Sequence, residues 1–199
     1  MDIQLREFGS FRAIVCFAMR QLILVRHGQY DLLTGRLTEF GRRQAAATVK
    51  ALREYEFDAI RSSTMARAEE TASILKRGLR SELKLERSRL LCEALPTPVP
   101  GLTERAQLPE LRLNLLRMQR AHARLARPAR GDRCELIVAH GNLIRMFVCL
   151  ALDVKPVTWL KMRIHHCSIS IVIVKSDTEQ ILSSFNQILH LPKALRTLG

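Results

Sequence analysis

Residues 21–28 read QLILVRHG, an uninterrupted apolar run that ends directly in an arginine, a histidine and a glycine. A run of this kind, bounded by charge, is typical of a buried parallel strand, here over residues 21–25. Residues 134–139 (CELIVA) predict the central strand of the same sheet, and a second histidine and glycine follow them. Because open α/β sheets bind ligands beyond the carboxyl ends of their strands, we expect His27 and His140 at one edge of the sheet.

Helical and strand-like segments alternate along the rest of the chain. Four helices are predicted. The first starts at an N-cap at Thr38, and the second runs from Ser63 or Thr64 to near Gly78. The third runs from near Pro109 to before Pro128, and the fourth runs from Gly141 to Leu152. The further predicted strands are residues 57–61, 81–87 as an edge strand, and 169–174 with 180–185 as a closing hairpin. This alternation implies an α/β protein, a three-layer α/β/α sandwich with a mostly parallel central sheet. We expect one domain over residues 21–199 after a short extension over residues 1–20.

The chain is strongly basic, with 32 Lys and Arg against 19 Asp and Glu in 199 residues, a net charge of +13. This balance favours acidic partners, such as phosphorylated substrates, nucleic acid or an anionic membrane, without choosing among them. Only two tyrosines and one tryptophan, with no interleaving of basic and aromatic residues, argue against a nucleic-acid surface. The apolar stretch at residues 11–19 is far shorter than the roughly 20 residues that span a bilayer, so we expect at most peripheral membrane contact.

The five cysteines contain no C-x-x-C pair and are expected to be reduced thiols. The helix expected after Pro109 has one apolar face, and the opposite face carries Arg117, Arg120, Arg124 and Arg127. A basic face of this kind is more often simply solvated than functional. A docking surface for an acidic partner is the alternative.

Four further sequence motifs follow one another along the chain: LILVRHGQ at residues 22–29, LTEFGRRQA at 37–45, SSTMARAEETA at 62–72 and IVAHGNLIR at 137–145. In their order and approximate spacing they resemble the histidine phosphatase superfamily, which includes the phosphoglycerate mutases. The resemblance covers about residues 22–150 and is specific, because it needs all four motifs in sequence. Within the superfamily the details are most similar to mitochondrial serine/threonine protein phosphatases.

The resemblance assigns a role to each residue of the expected site. It makes His27 the nucleophile that forms a phosphohistidine, and Glu93 the acid that protonates the leaving group and later serves as a base toward water. A neutral imidazole is nucleophilic near pH 7, which fits this role. The phosphoryl oxygens would be surrounded by Arg26, Arg67 and an imidazolium at His140. The amides of Gln29 and Asn142 are further candidate donors to the phosphoryl group, and a role in stabilising loops is an equal alternative. No metal and no other cofactor are expected.

The implied function is a serine/threonine protein phosphatase acting on phosphorylated protein, expected in the mitochondrion by resemblance, with the cytoplasm as the alternative. A phosphatase or mutase for small phosphate esters is the rival enzyme, and a non-catalytic scaffold that retains the fold is the third possibility. The loops after Tyr30 and after Glu93 are shorter than in the proteins it resembles. A homo-oligomer is left open. Of the pair His165 and His166, one is a candidate to face the phosphate pocket, although packing is the simpler interpretation.

Overall fold

A computed structural model describes residues 19–101, 103–104 and 107–198. Its six strands form one sheet in the order β3, β2, β4, β1, β5, β6. The strands are β1 (Arg20–Arg26), β2 (Ala59–Ser63), β3 (Leu85–Ser88), β4 (Arg133–Ala139), β5 (Ile169–Val174) and β6 (Gln180–Gln187). The helices are α1 (Glu39–Leu52), α2 (Ala66–Gly78), α3 (Leu108–Leu125) and α4 (Gly141–Ala151), with short 3-10 turns at Arg89–Leu91, Pro156–Lys161 and Lys193–Leu195.

Strands β3, β2, β4 and β1 run parallel, and only the closing hairpin of β5 and β6 is antiparallel. Strand β1 explains why both faces of the sheet are covered. Its Leu22 and Leu24 pack with α3 and α4, whereas Ile23 and Val25 pack with α1 and α2. Alternate side chains of a strand point to opposite faces, so a run that is apolar throughout must be buried on both sides. The expected three-layer fold is confirmed.

Several expected boundaries are confirmed, and two are wrong. Thr38 caps α1 by accepting a 3.0 Å hydrogen bond from the Gly41 amide, and α2 ends at Gly78 as expected. Neither Ser63 nor Thr64 caps α2: its N-cap is Met65, and the Ser63 hydroxyl instead accepts from the Met65 amide. Strand β2 lies two residues later than expected because its register is set by parallel pairing with β4, which local sequence does not encode.

The sequence expectations for the N-terminus lie on residues 1–18, including Cys16, and so outside the described residues. The other four cysteines are free thiols, as expected. Within the described part of the chain, every helix is too short or too polar to cross a bilayer. Strand β3, at the edge of the sheet, is only four residues long and is thus shorter than the sequence suggests.

Two glycines allow the loop after β1 to pack against the start of α1. A Cβ at Gly28 would lie 2.5 Å from the Gly41 carbonyl oxygen, and a Cβ at Gly41 would lie 1.9 Å from the Gln29 carbonyl oxygen. Real atoms do not approach so closely, and both obstacles are backbone rather than flexible side chain. The glycines of the first two motifs therefore fix the backbone on which His27 sits.

We expect the substitution Gly41→Ala to destabilise the protein by about 3 kcal/mol, at the upper end for overpacking, because the loop carrying Gln29 must move. The change is measured as the shift of the urea unfolding midpoint. Arg43→Ala, an exposed change on the same helix, serves as the control and should stay within about 0.5 kcal/mol of the parent. Equal stability of the Gly41→Ala protein would contradict the packing argument.

Candidate active site

The two histidines that follow strands β1 and β4 lie side by side at the carboxyl edge of the sheet. Arg26, the last residue of β1, pairs with Ala139, the last residue of β4, so the next residue of each strand leaves the sheet at the same level. The His27 amide donates to the Ala139 carbonyl at 3.0 Å, and the ring centroids of His27 and His140 are 5.0 Å apart. Both rings are buried.

Hydrogen bonds fix the tautomer of His27. Its Nδ1 lies 2.7 Å from the Gly28 carbonyl oxygen, which can only accept, so Nδ1 carries the proton. Its Nε2 accepts a 3.1 Å bond from Nε of Arg67 and therefore carries the lone pair. Burial, more than the neighbouring His140, holds the pKa of His27 well below its usual range. At neutral pH His27 is thus an uncharged imidazole whose Nε2 is available as a nucleophile.

Two guanidinium groups and a helix terminus make the surroundings of Nε2 positive. Arg26 is buried and donates to the Ile164 carbonyl at 2.7 Å. Arg67 is also buried in the first turn of α2, with its guanidinium carbon 4.3 Å from the centre of the Tyr30 ring. Helix α4 begins at Gly141, directly after His140, and its free amide groups add to the positive field. The arrangement favours a bound anion.

His140 is uncharged in the free protein. Burial, with the two guanidinium groups of Arg67 and Arg26 nearby, lowers the pKa of His140 to about 3. Among the residues that the structure describes, neither ring nitrogen of His140 has a hydrogen-bond partner, although the ring is fully buried. In the free protein two fixed positive charges thus oppose a third, and the imidazolium expected at His140 around a phosphoryl group stays a prediction. A doubly charged anion between these groups would raise the pKa and supply the missing partner.

Glu93 lies at the rim of this group and is held from α4. Its Oε1 accepts a 3.1 Å bond from the backbone amide of Asn142, and its Oε2 lies 3.9 Å from Nδ1 of His140. Burial raises the pKa of Glu93 above its usual value, and the Arg26 guanidinium opposes this shift without cancelling it. A carboxyl group with a raised pKa can hold a proton closer to neutral pH than an exposed one, which suits a general acid.

The side-chain amides of Gln29 and Asn142 are occupied by protein groups. Oε1 of Gln29 accepts a 3.0 Å bond from the Thr38 hydroxyl. Asn142 donates to the Ala94 carbonyl at 3.0 Å and accepts from the Arg145 guanidinium. These bonds favour the loop-stabilising alternative for Asn142. For Gln29 they engage the amide oxygen and not the amide donor, so its role stays a prediction.

Sequence reasoning assigned no role to Tyr30 and Arg145 and left His166 open. The ring of His166 lies 5.8 Å from that of His27, and burial lowers its pKa to about 3. His165 and His166 do not lie on a regular strand: His165 forms an isolated bridge to Leu198, and a turn follows. Tyr30 packs edge-on against His27 at 5.2 Å. Tyr30 directly follows the first motif in the sequence, but its contact with His27 could not be predicted from that position.

Three of these side chains offer atoms that a metal ion could use. One atom each of His27, Glu93 and His140 lies within 4.8 Å of the other two. The guanidinium groups of Arg26 and Arg67 border the same space, and positive charge at that position disfavours a divalent cation. We therefore expect dialysis against EDTA to leave the rate of any reaction catalysed at this site unchanged. Loss of the rate with EDTA, and its recovery on adding one divalent metal, would contradict an anion site.

Two neutral histidines, two buried guanidinium groups and a carboxyl group thus lie together at the carboxyl edge of the sheet, a set of groups that can bind and transfer a phosphoryl group. The chain belongs to the histidine phosphatase superfamily (branch 1), whose family model matches residues 22–115 and 111–187. The resemblance inferred from the four motifs is confirmed.

Curated relatives with similar sequences carry one name. The serine/threonine-protein phosphatase Pgam5, mitochondrial, of Caenorhabditis briggsae is 38% identical over 184 residues, covering 87% of this chain and 65% of the relative. The protein of that name in Drosophila ananassae is 37% identical over 169 residues, covering 76% of this chain and 57% of the relative. The chain thus spans less than two thirds of the length of these relatives.

Solved structures share the fold. A phosphoglycerate mutase from Plasmodium falciparum has a TM-score of 0.62 at 26% identity, covering 88% of this chain and 96% of its own. A phosphoserine phosphatase mutant from Entamoeba histolytica, in complex with phosphoserine, has a TM-score of 0.66 at 19% identity, covering 87% and 100%. A phosphoglycerate mutase from Bacillus anthracis has a TM-score of 0.69 at 20% identity, covering 87% and 95%.

Proposed function

We propose that this protein is a metal-independent serine/threonine protein phosphatase that works through a phosphohistidine intermediate. The observation that carries the proposal is the fixed tautomer of His27: its proton is on Nδ1, and the lone pair of Nε2 accepts a bond from Arg67. Nucleophile, anion-binding groups and a carboxyl group with a raised pKa then lie within one site. This is the set that hydrolysis of a phosphate ester requires.

In the first step, Nε2 of His27 attacks phosphorus in line with the ester oxygen, so that an N–P bond forms as the P–O bond breaks. The hydroxyl of the departing serine or threonine side chain takes its proton from Glu93. Arg26 and Arg67 stabilise the charge on the non-bridging oxygens, and His140 donates a hydrogen bond to one of them. The bond between Arg67 and Nε2 gives way to a bond between Arg67 and a phosphoryl oxygen.

In the second step, water attacks the phosphorus of the phosphohistidine. Glu93, now a carboxylate, takes a proton from this water, and the electron pair of the N–P bond returns to Nε2. Inorganic phosphate leaves, and Glu93 is again protonated for the next cycle. The same carboxyl group thus serves as acid and then as base, which is consistent with its place at the rim, where the leaving group departs and water enters.

The surface beside the site supports a protein rather than a metabolite as substrate. Tyr30, which contacts His27, leads into a loop whose Leu32 and Leu33 are 83% and 98% exposed. This loop is well ordered by hydrogen bonds, since the Asp31 carboxylate accepts from the Thr34 amide at 2.8 Å. Exposed leucines next to a phosphate pocket suit apolar residues that flank a phosphorylated side chain, and the net charge of +13 suits an acidic partner.

The relatives named above are called mitochondrial serine/threonine-protein phosphatases, and we propose that compartment and substrate class for this chain, with the cytoplasm as the alternative. We propose no nucleic-acid partner, at most peripheral contact with a membrane, and leave room for a homo-oligomer.

A panel of phosphate esters tests the function. A phosphoserine peptide, a phosphothreonine peptide, free phosphoserine and phosphoglycerate are incubated with the protein, and released phosphate is measured with the His27→Ala protein as the blank. We expect the peptides to be hydrolysed with the highest kcat/KM. A large preference for free phosphoserine or phosphoglycerate would instead favour an enzyme for small phosphate esters. The phosphoglycerate mutase and the phosphoserine phosphatase described above are named for compounds of this kind. Phosphate binding without turnover of any ester would favour the scaffold.

A further inference from the structure

Arg117 departs from the basic helix face to which the sequence assigns it. Among the four arginines of that face, Arg120, Arg124 and Arg127 are exposed, whereas Arg117 is half-buried. Its Nη1 donates to three backbone carbonyl oxygens, those of Arg89 at 3.2 Å, Leu90 at 3.1 Å and Cys92 at 2.8 Å. The solvated-face interpretation is therefore wrong for this one residue.

The three carbonyls belong to the segment that delivers Glu93 to the site. The 3-10 turn Arg89–Leu91 follows the edge strand β3, and Glu93 comes two residues after its end. The Arg89 carbonyl also accepts a 3.2 Å bond from the Cys92 amide. Carbonyl groups at the end of a helical turn carry partial negative charge, which the Arg117 guanidinium stabilises. Strand β3 has a neighbour on one side only and is four residues long, so the sheet alone holds this segment weakly.

The other side of the same segment is held by α4. The Asn142 amide donates to Oε1 of Glu93, and the Asn142 side chain donates to the Ala94 carbonyl. Glu93 thus sits between two anchors, Arg117 before it and Asn142 after it. The Asn142 anchor belongs to the helix that follows His140, whereas the Arg117 anchor comes from α3.

We propose that Arg117 is a positioning residue, whose guanidinium holds the backbone of residues 89–92 so that the carboxyl group of Glu93 faces His27. The proposal rests on the proposed function for its kinetic consequences. It places a determinant of the acid and base step on α3, outside the four sequence motifs of the superfamily. Arg117 is placed to touch neither the phosphoryl group nor the leaving group. It acts on the reaction through Glu93, and its charge also contributes to the low pKa of His140.

The test compares Arg117→Ala, Arg117→Lys and the matched control Arg120→Ala, which removes an exposed arginine from the same helix. For a phosphoserine peptide we expect Arg117→Ala to lower kcat about 10- to 100-fold with little change in KM, because misplacement of a catalytic group by about 1 Å has this scale of effect. In rapid-mixing experiments the loss in the rate of the first step should be smaller for p-nitrophenyl phosphate, whose leaving group needs little protonation. Arg120→Ala should match the parent.

The lysine variant and a double variant separate positioning from general damage. A lysine ammonium has three donors for the three carbonyls, so Arg117→Lys should recover part of the lost kcat. In the Glu93→Gln background, Arg117→Ala should add little further loss, since two residues that act through one group are not additive. Thermal unfolding followed by circular dichroism checks that each variant is folded.

A measurement that needs no turnover keeps the proposal separate from the proposed function. The carboxyl carbon of Glu93 is followed by NMR during a pH titration, and we expect Arg117→Ala to move the pKa of Glu93 toward its usual value while Arg120→Ala leaves it in place. If the parent hydrolyses no ester but this shift is observed, the proposed function fails and the positioning role stands. The role would be overturned by an unmoved Glu93 titration, by equal losses of the first step on both esters, by full additivity with Glu93→Gln, or by a lysine variant no better than alanine.

Discussion

Replacing His27 with alanine is expected to reduce turnover of any phosphate ester by about 10⁴-fold or more, the scale seen when a covalent nucleophile is removed. Nε2 of His27 is the one atom placed to receive the phosphoryl group, since its lone pair faces the Arg67 guanidinium in a buried pocket. The ring centroid of His140 lies 5.0 Å from that of His27, and His140 follows the neighbouring strand β4, close to two guanidinium groups. We expect His140 to serve as a donor to the phosphoryl group and not as a second nucleophile.

The measurement pairs steady-state turnover with trapping of the intermediate. The parent protein, quenched during turnover of a labelled ester, should carry label that is released by acid and retained in base, as expected of a phosphohistidine. The His27→Ala protein should carry none. His122→Ala serves as the control, because His122 lies on α3 and hydrogen-bonds to Gln180, away from the phosphate pocket. Turnover that survives in the His27→Ala protein would remove His27 as the nucleophile.

Replacing Glu93 with glutamine should slow hydrolysis of alkyl phosphates by about 10²- to 10⁴-fold, the usual range for a general acid or base. A serine or threonine alkoxide is a poor leaving group, so its departure depends on the proton that Glu93 supplies. The glutamine amide retains the size of the side chain but cannot give up a proton in the same way. p-Nitrophenolate leaves without help, so the first step on p-nitrophenyl phosphate should be nearly unaffected.

The two esters are compared in rapid-mixing experiments that separate the first step from the second. We expect the Glu93→Gln protein to release a burst of p-nitrophenol and to accumulate phosphoenzyme, because attack of water still needs a base. Glu104→Gln, which replaces a carboxylate after Glu93 in the sequence, is the control and should leave both rates unchanged. Equal loss of the first step on both esters would exclude Glu93 as the acid.

The pH dependence of the free protein follows from the same geometry. Burial keeps the pKa of His27 well below its usual range, so the fraction of reactive, neutral imidazole stays high as pH falls below 6. The raised pKa of Glu93 keeps part of it protonated to higher pH than an exposed glutamate. The pKa of His27 is shifted down and that of Glu93 is shifted up, the directions that let His27 act as a neutral nucleophile while Glu93 acts as an acid.

Much of the fold could be predicted from local sequence. The apolar runs before Arg26 and before His140 had to be strands buried on both faces, since no other element buries every side chain of so short a segment. The errors were made where pairing decides the outcome: the start of β2 and the length of β3 depend on neighbouring strands far along the chain.

The sequence by itself determined which residue types stand at the carboxyl ends of the central strands, the order of the motifs, and hence the family and the nucleophile proposed here. The three-dimensional structure alone decided the chemical state of those residues. It gave His27 a single tautomer and left His140 uncharged. It also bonded the Asn142 side-chain amide to the Ala94 carbonyl and the Arg117 guanidinium to the backbone ahead of Glu93. Tautomer, charge and hydrogen bonding depend on burial and on distances of a few ångströms between groups remote in sequence, and only the folded chain sets those distances.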